Sequence, residues 1–228
     1  MKASLLKYAA ELLGTFIMVF IGTGAIVLDD WSHGGVSHLG VSLAFGVAVA
    51  AMVFAFGRLS GAHINPAVTI AFWFSGRFPR PHLMPYIISQ LLGAFCASIL
   101  LHFMAPSHPD LGSTYPTAGM TASVILEVLL TFILMWVILW VSTGSKEIGK
   151  WAPIAIGGTV FLEAYLAGPL TGASMNPARS FGPALASGQL AHLWIYLLAP
   201  VMGAMVAVYA CRLLKGKKCC ATPGALCP

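Results

Sequence analysis

Six long apolar stretches restrict the fold of this 228-residue chain more than any other feature. A helix needs about 20 apolar residues to cross a bilayer, and each stretch approaches or exceeds that length. The composition agrees, because only 8% of the residues are charged, whereas an average soluble domain carries about 25%. We therefore predict an all-α membrane protein with six transmembrane helices in a single domain, residues 1–228. The predicted spans are residues 8–28, 39–57, 83–104, 121–142, 152–168 and 193–214.

The charged residues predict how the chain is oriented in the membrane. The net charge is +5, yet all basic residues except Arg179 fall at the termini or in connections on one side of the spans, opposite Asp29, Asp30 and Asp110. Cytoplasmic loops carry the excess of Lys and Arg. We therefore expect cytoplasmic termini, a plasma or inner membrane location and no nucleic-acid partner. The basic residues on that side are Lys2, Lys7, Arg58, Arg77, Arg80, Lys146, Lys150, Arg212, Lys215, Lys217 and Lys218.

The first span follows two lysines, as the apolar core of a secretory signal does. Such a core is about 7–15 residues long, whereas this stretch runs from Tyr8 to Leu28. We expect it to be retained as a transmembrane helix.

The chain contains an internal repeat. "AELLGTFIMVF" (10–20) matches "LEVLLTFILMW" (126–136), and "SGAHINPAVTI" (60–70) matches "TGASMNPARSF" (171–181). Each half holds three spans, an odd number, so the second half enters the membrane from the opposite face. Such halves are related by an axis in the membrane plane. The predicted division is repeat one at about 1–115, repeat two at about 116–214 and a cytoplasmic tail at 215–228.

The two Asn-Pro-Ala segments each predict a short helix that begins inside the membrane. Asparagine is a good N-cap and proline a good first helical residue, which predicts helices over 66–76 and 177–187, ending near Gly76 and Gly188. At 1.5 Å per residue each is roughly 16 Å long, about half a bilayer. Non-helical backbone at that depth is tolerated only inside protein or around a water-filled cavity. The repeat therefore predicts a pore where the two half-helices meet.

The chemistry of this meeting point favours neutral solutes. Each half-helix N-terminus carries about half a positive charge, so the pair repels cations, including hydronium. The amides of Asn65 and Asn176 can cap their helices through oxygen and donate to passing water through nitrogen. An extended backbone before each turn would present carbonyl oxygens to the pore. The residues predicted to do so are Gly61, Ala62, His63, Ile64, Gly172, Ala173, Ser174 and Met175.

The remaining histidine and cysteine signals are weak. His63 has no visible titratable partner, so we expect a loop residue held by its neighbours, not a proton shuttle. Cys96 and Cys211 lie within spans, where a small apolar residue is the simplest interpretation. A soft-metal site at Cys219, Cys220 and Cys227 is an alternative, disfavoured because no histidine accompanies the thiols at zinc-like spacing. No metal or other cofactor is predicted.

The chain resembles the aquaporin, or major intrinsic protein, family. The resemblance lies in two Asn-Pro-Ala segments, each preceded by [ST]-Gly-Ala, within a six-span repeat that carries Glu-x-x-x-Thr-Phe. The resemblance covers nearly the whole chain. It implies a right-handed bundle of six helices and two half-helices, a homotetramer, and hydrogen bonds from the pore loops to Glu11 and Glu127. The family's pore motifs fall on Asn65, Pro66, Ala67, Asn176, Pro177 and Ala178, and its constriction falls on Phe45, Ala164, Ala173 and Arg179.

The residues around the constriction indicate the solute class. Water-selective members place histidine and a small polar residue where this chain has Ala164 and Ala173, whereas Ser180 is typical of water channels. Leu197 follows Tyr196 in the last span, where water channels usually have tryptophan after the aromatic residue. The combination is most similar to nodulin-like intrinsic proteins and their bacterial relatives, which implies water plus glycerol and uncharged metalloid hydroxides. The alternatives are a water-only channel or, with less support, an ion-coupled transporter.

Nothing in the sequence predicts an enzyme, because no metal-ligand cluster, serine–base pair or carboxylate pair falls at one depth. Glu163 has no counterpart in the other repeat, and its orientation is left open.

Overall fold

A computed structural model describes residues 2–143, 149–216 and 220. In these residues the fold consists of helices, without a strand, and six helices are long and apolar enough to cross a membrane. The predicted all-α membrane fold is therefore confirmed. The helices are α1 Lys2–Trp31, α2 Ser37–Phe56, α3 Pro66–Ser75, α4 Leu83–Met104, α5 Met120–Thr143, α6 Ala152–Thr171, α7 Pro177–Ser187 and α8 Leu193–Lys215, with a 3-10 turn at Arg80–His82.

Two of the long helices extend beyond their apolar stretches. α1 continues to Trp31, and α6 continues to Thr171 although it contains Pro169. Proline has no N–H to donate and so leaves the carbonyl four residues earlier without its helical partner. In α6 that carbonyl belongs to Tyr165, and Nε2 of His38 lies 2.7 Å from its oxygen. A side chain from α2 thus compensates for the proline.

The two short helices begin and end where the sequence predicts, within one residue. Asn65 is the N-cap of α3 and accepts from the backbone N–H of Ala67, and Asn176 does the same for Ala178 at the start of α7. Gly76 and Gly188 follow the last helical residues with φ values of 88° and 79°. Glycine adopts this left-handed conformation readily, which ends each helix cleanly.

The packing of the helices repeats between the two halves of the chain. α1 packs on α4 and α5 on α8, while α2 and α6 pack against each other across the centre. A Cβ atom at Gly46 would lie 2.7 Å from the carbonyl oxygen of Gly157, and one at Gly157 would lie 2.4 Å from that of Gly46. Each half-helix packs on a long helix of the other half, α3 on α8 and α7 on α4. The halves are therefore interlocked around the half-helices.

Candidate pore

Among the described residues, two cavities in the bundle share part of their lining. The larger, about 850 Å³, extends from the two asparagine caps towards Arg58 and Lys150. The smaller, about 270 Å³, opens towards Asp29 and Tyr115. Burial, and to a smaller extent the Asp110 carboxylate, raises the pKa of Tyr115 to about 12. The Tyr115 hydroxyl therefore stays neutral where the smaller cavity opens. The cavities thus lead to opposite faces of the bundle.

Four residues line both cavities, and among the described residues no fifth one does. These four therefore form the partition between the cavities. They come from α2, α6, the loop before α7 and the first turn of α7, which the fold brings to one place. They are also the four residues that the sequence resemblance assigned to the constriction: Phe45, Ala164, Ala173 and Arg179.

Arg179 is fixed in the partition by two contacts. It is 3% exposed, and its Nη1 donates to the Gly112 carbonyl at 2.8 Å. Its guanidinium carbon lies 4.8 Å from the ring centroid of Phe45, which is within cation–π distance. Sequence reasoning found Arg179 and Phe45 but missed Gly112, because nothing in the connecting loop signals which carbonyl faces inward.

The two capping asparagines join the pore loops to each other. Asn65 Nδ2 donates to the Met175 carbonyl at 2.8 Å, and Asn176 Nδ2 donates to the Ile64 carbonyl at 2.9 Å. Both side chains line the larger cavity. An amide NH₂ carries two hydrogens, so this contact engages one of them; Asn176 Nδ2 also lies 3.8 Å from Met18 Sδ, a weak acceptor. Sequence reasoning anticipated the cap and the cavity, but not this reciprocal pair.

The loops before the half-helices differ from the extended backbone that the sequence predicted. They are non-helical, but φ is positive at three of four positions in each: 90°, 46° and 43° at Gly61, Ala62 and Ile64, and 79°, 39° and 52° at Gly172, Ala173 and Met175. Left-handed conformations are uncommon for residues other than glycine and persist only where the surroundings enforce them. The eight predicted carbonyl-bearing residues, Gly61, Ala62, His63, Ile64, Gly172, Ala173, Ser174 and Met175, all line a cavity.

Two buried carboxylates hold these loops from behind. Glu11 and Glu127 are both 0% exposed. The Glu11 carboxylate accepts the backbone N–H groups of His63 and Ile64 at 2.9 and 2.7 Å, and also bonds from Ser60 Oγ and Gln90 Nε2. Glu127 accepts the N–H groups of Ser174 and Met175, both at 2.8 Å, and a bond from Thr171 Oγ1 at 3.2 Å. The two hydroxyl donors are the first residues of the [ST]-Gly-Ala motifs, whereas the amide donor Gln90 had no sequence signal.

His63 is packed on the side of the loop. Its Nδ1 lies 3.1 Å from Thr69 Oγ1, and its ring centroid is 4.9 Å from those of Phe72 and Phe78 and 5.3 Å from that of Tyr86. The ring also lines the larger cavity. These contacts fix the imidazole beside aromatic rings.

Glu163 lies beside the partition but lines neither cavity. It is 6% exposed, and neither carboxylate oxygen has a hydrogen-bond partner. Cys96 is exposed and Cys211 is buried. Cys219 and Cys227 of the predicted tail lie outside the described residues. Within the described ranges no group of three or more His, Cys, Asp or Glu residues is arranged to hold a metal ion.

The contrast between the carboxylates predicts different tolerance to replacement. We expect Glu127→Gln to lower both the thermal unfolding temperature in detergent and the water permeability in proteoliposomes. The NH₂ of the new glutamine would face backbone N–H donors and could not accept from them. Bonds to charged groups contribute about 1.5–3 kcal/mol each. Glu163→Gln is the matched control, since that buried carboxyl has no partners to lose. Equal losses in both variants would show that the loop contacts of Glu127 are unimportant.

Six membrane-crossing helices, two half-helices that meet at their N-termini, and two cavities leading to opposite faces define a membrane channel. Residues 1–210 match the family described as Major intrinsic protein. The chain belongs to this family, whose members are channels and not enzymes.

Known relatives narrow the position of the chain within the family. It is 44% identical to Aquaporin NIP1-1 of Zea mays over 92% of this chain and 74% of that protein. It is 39% identical to Nodulin-26 of Glycine max over 92% of this chain and 78% of that protein. The crystal structure of the aquaglyceroporin from Plasmodium falciparum superposes with a TM-score of 0.79 at 26% identity, covering 92% and 96% of the two chains. The predicted resemblance to nodulin-like proteins is confirmed.

Proposed function

We propose that the protein is a passive channel for water and small uncharged solutes, including glycerol and metalloid hydroxides, and that it excludes protons and ions. One observation carries the proposal: the two cavities meet only at Phe45, Ala164, Ala173 and Arg179 within the described residues. A solute that passes between them must cross this constriction. The family membership and the likeness to an aquaglyceroporin support the same function.

Ion exclusion follows from the charges around the path. α3 and α7 direct their N-termini towards the region where Asn65 and Asn176 are linked, and each end carries about half a positive charge. Arg179 adds a full positive charge at the constriction. A cation meets repulsion at both places, while a neutral solute meets hydrogen-bond donors and carbonyl acceptors. The amide hydrogens of the asparagines would orient a passing water and interrupt a proton-conducting chain.

The small side chains at two positions of the constriction favour solutes larger than water. Two of its four side chains are alanine methyl groups, which are small and apolar, while Phe45 and Arg179 supply an aromatic ring and a positive charge. A polyol can place its carbon backbone against the methyl groups and its hydroxyls towards Arg179 and the loop carbonyls. A strictly water-selective channel is therefore not favoured.

An ion-coupled transporter is not favoured either. Broken helices also occur in such proteins, where unwound backbone and ionisable groups bind the coupling ion. Here the point where the half-helices meet is occupied by the neutral amides of Asn65 and Asn176, bonded to each other's loops. Neither pore-loop carboxylate is exposed to the path, because Glu11 and Glu127 are both 0% exposed.

The proposed orientation, membrane and oligomeric state of the channel are those expected from the sequence. We place both termini in the cytoplasm and the protein in the plasma or inner membrane, since the larger cavity opens beside Arg58 and Lys150 and the smaller beside Asp29. The functional unit is a homotetramer, as in the family that the sequence resembles. The two repeats divide near residue 115, and the tail begins at residue 215.

The experiment that tests the function is a stopped-flow panel on proteoliposomes with water, glycerol, urea and boric or arsenous acid. We expect the water, glycerol and metalloid permeabilities to exceed those of protein-free liposomes, and the urea permeability to show whether a neutral amide also passes. Fast water flux with glycerol and metalloid permeabilities at the protein-free level would leave a water-only channel.

A thiol at the constriction should make the channel sensitive to mercurials. Ala173 lines both cavities, so we expect Ala173→Cys to create inhibition of water flux that a reducing thiol reverses. The control is Ala191→Cys, at an exposed alanine in the turn before α8 that lines neither cavity. It should be labelled without loss of flux. A labelled but fully active Ala173→Cys protein would remove position 173 from the path.

A further inference from the structure

The loop between α4 and α5 holds the arginine of the constriction. The Gly112 carbonyl in this loop accepts the hydrogen bond from Arg179 Nη1 at 2.8 Å. The arginine is 3% exposed, and among the described residues this carbonyl is the hydrogen-bond acceptor that the protein supplies to its guanidinium. The position of the guanidinium therefore depends on where the loop places one backbone oxygen.

The backbone that presents this oxygen has an unusual conformation. Leu111 and Gly112 have φ values of 54° and 73°, both left-handed. Leucine rarely adopts this conformation, which persists only where surrounding contacts enforce it. The Leu111 side chain is 0% exposed, and a Cβ atom at Gly112 would lie 3.1 Å from Cβ of Thr23 on α1. The loop is thus pressed against α1, and its shape requires specific anchors.

His108 and two aspartates supply those anchors. The backbone N–H of Leu111 donates to His108 Nδ1 at 3.0 Å, and Asp110 Oδ1 lies 3.5 Å from the same nitrogen. Nε2 lies 3.1 Å from Oδ2 of Asp30, in the last turn of α1. The N–H of Gly112 donates to Asp110 Oδ1 at 3.0 Å. The imidazole is 3% exposed, so a buried ring ties the left-handed segment to a membrane-crossing helix.

We infer that His108, oriented by Asp30, is a positioning residue that sets the place of Arg179 in the constriction and thereby ion exclusion. The inference rests on the proposed function of Arg179. The connection runs from Asp30 through the imidazole to Leu111, and from there through the Gly112 carbonyl to the guanidinium. Each link is a contact of 3.1 Å or less or a peptide bond.

The rest of the loop has separate attachments. Thr114 Oγ1 donates to Ser180 Oγ at 2.9 Å, which holds the loop to α7 two residues beyond Gly112. Removal of the imidazole is therefore expected to release the Gly112 carbonyl while the loop stays attached. Arg179 would then lose its acceptor without a loss of the fold.

The test compares His108 variants in proteoliposomes. We expect His108→Ala to raise proton conductance on the order of tenfold, which corresponds to ~1.4 kcal/mol of barrier, while water permeability per protein stays near wild type. His108→Asn should restore most of the exclusion, because its Oδ1 lies near the position of Nδ1 and can accept from Leu111. The control is His192→Ala, which removes a histidine beside α8 that lines neither cavity and should conduct protons like wild type.

A double-mutant cycle with Arg179→Val separates positioning from a general structural role. If His108 acts through Arg179, His108→Ala adds no further leak in the Arg179→Val protein. Equal added leak in both backgrounds, or no leak from His108→Ala while Arg179→Val leaks, would overturn the inference. No leak from Arg179→Val itself would instead contradict the proposed role of the arginine. The two failures are therefore distinguishable.

Discussion

Ala164→His combined with Ala173→Thr is expected to keep water permeation and reduce glycerol and metalloid passage more than tenfold. The new side chains are larger than the alanine methyl groups that they replace, and they add hydrogen-bond donors. A solute larger than water must then shed more of its hydration shell, and each buried polar group left unpaired costs about 1–3 kcal/mol. A barrier higher by ~1.4 kcal/mol already slows flux tenfold. Stopped-flow light scattering on wild-type and variant proteoliposomes at equal protein measures both fluxes.

The single variant Ala173→Ser separates polarity from width. It adds one hydroxyl with little volume at a residue that lines both cavities. We expect it to pass glycerol nearly as fast as wild type. If the double variant also retains wild-type glycerol flux, these two positions do not determine the width of the path.

Arg179→Val is expected to admit protons or small cations that the wild-type protein rejects. The substitution removes the only full charge among the four described residues that separate the cavities. The half-helix ends remain as a second barrier, so we expect a leak and not a fully open ion pore. A pH-sensitive dye inside proteoliposomes, under an imposed proton gradient, measures the conductance at matched water flux.

Arg80→Val is the matched control for loss of one positive charge. Arg80 is exposed in the 3-10 turn before α4 and lines neither cavity. Its replacement should leave proton conductance unchanged. Equal conductance of Arg179→Val and wild type would mean that exclusion resides elsewhere in the path.

The elements that sequence predicts well have local causes. Asn65-Pro66 and Asn176-Pro177 carry both the cap and the first helical residue, so the starts of α3 and α7 are correct, and the glycines after them give the ends. The six transmembrane helices could be predicted from the lengths of the apolar stretches alone. The four partition residues were reachable because the family resemblance assigns them by position: Arg179 directly after the second Asn-Pro-Ala, Ala164 and Ala173 before it, and Phe45 in the second span.

The contacts that sequence could not predict join residues far apart in the chain. Gly112 bonds Arg179 from 67 positions away, and Gln90 bonds Glu11 from 79 positions away. Neither glycine nor glutamine has a pattern that would indicate such a partner. The left-handed backbone of Ala62 and Ile64 was missed for a related reason, since the N–H groups of His63 and Ile64 are bonded to the distant Glu11 carboxylate, which no local preference indicates.

Glycerol uptake with every ion gradient collapsed tests the central claim most directly. Wild-type proteoliposomes loaded with ionophores for protons, sodium and potassium should take up glycerol at the same rate as those with gradients intact, and faster than protein-free liposomes. A passive path through the constriction requires this result, because no step in it moves an ion. Uptake that falls to the protein-free rate when the gradients collapse would contradict the channel and indicate coupled transport.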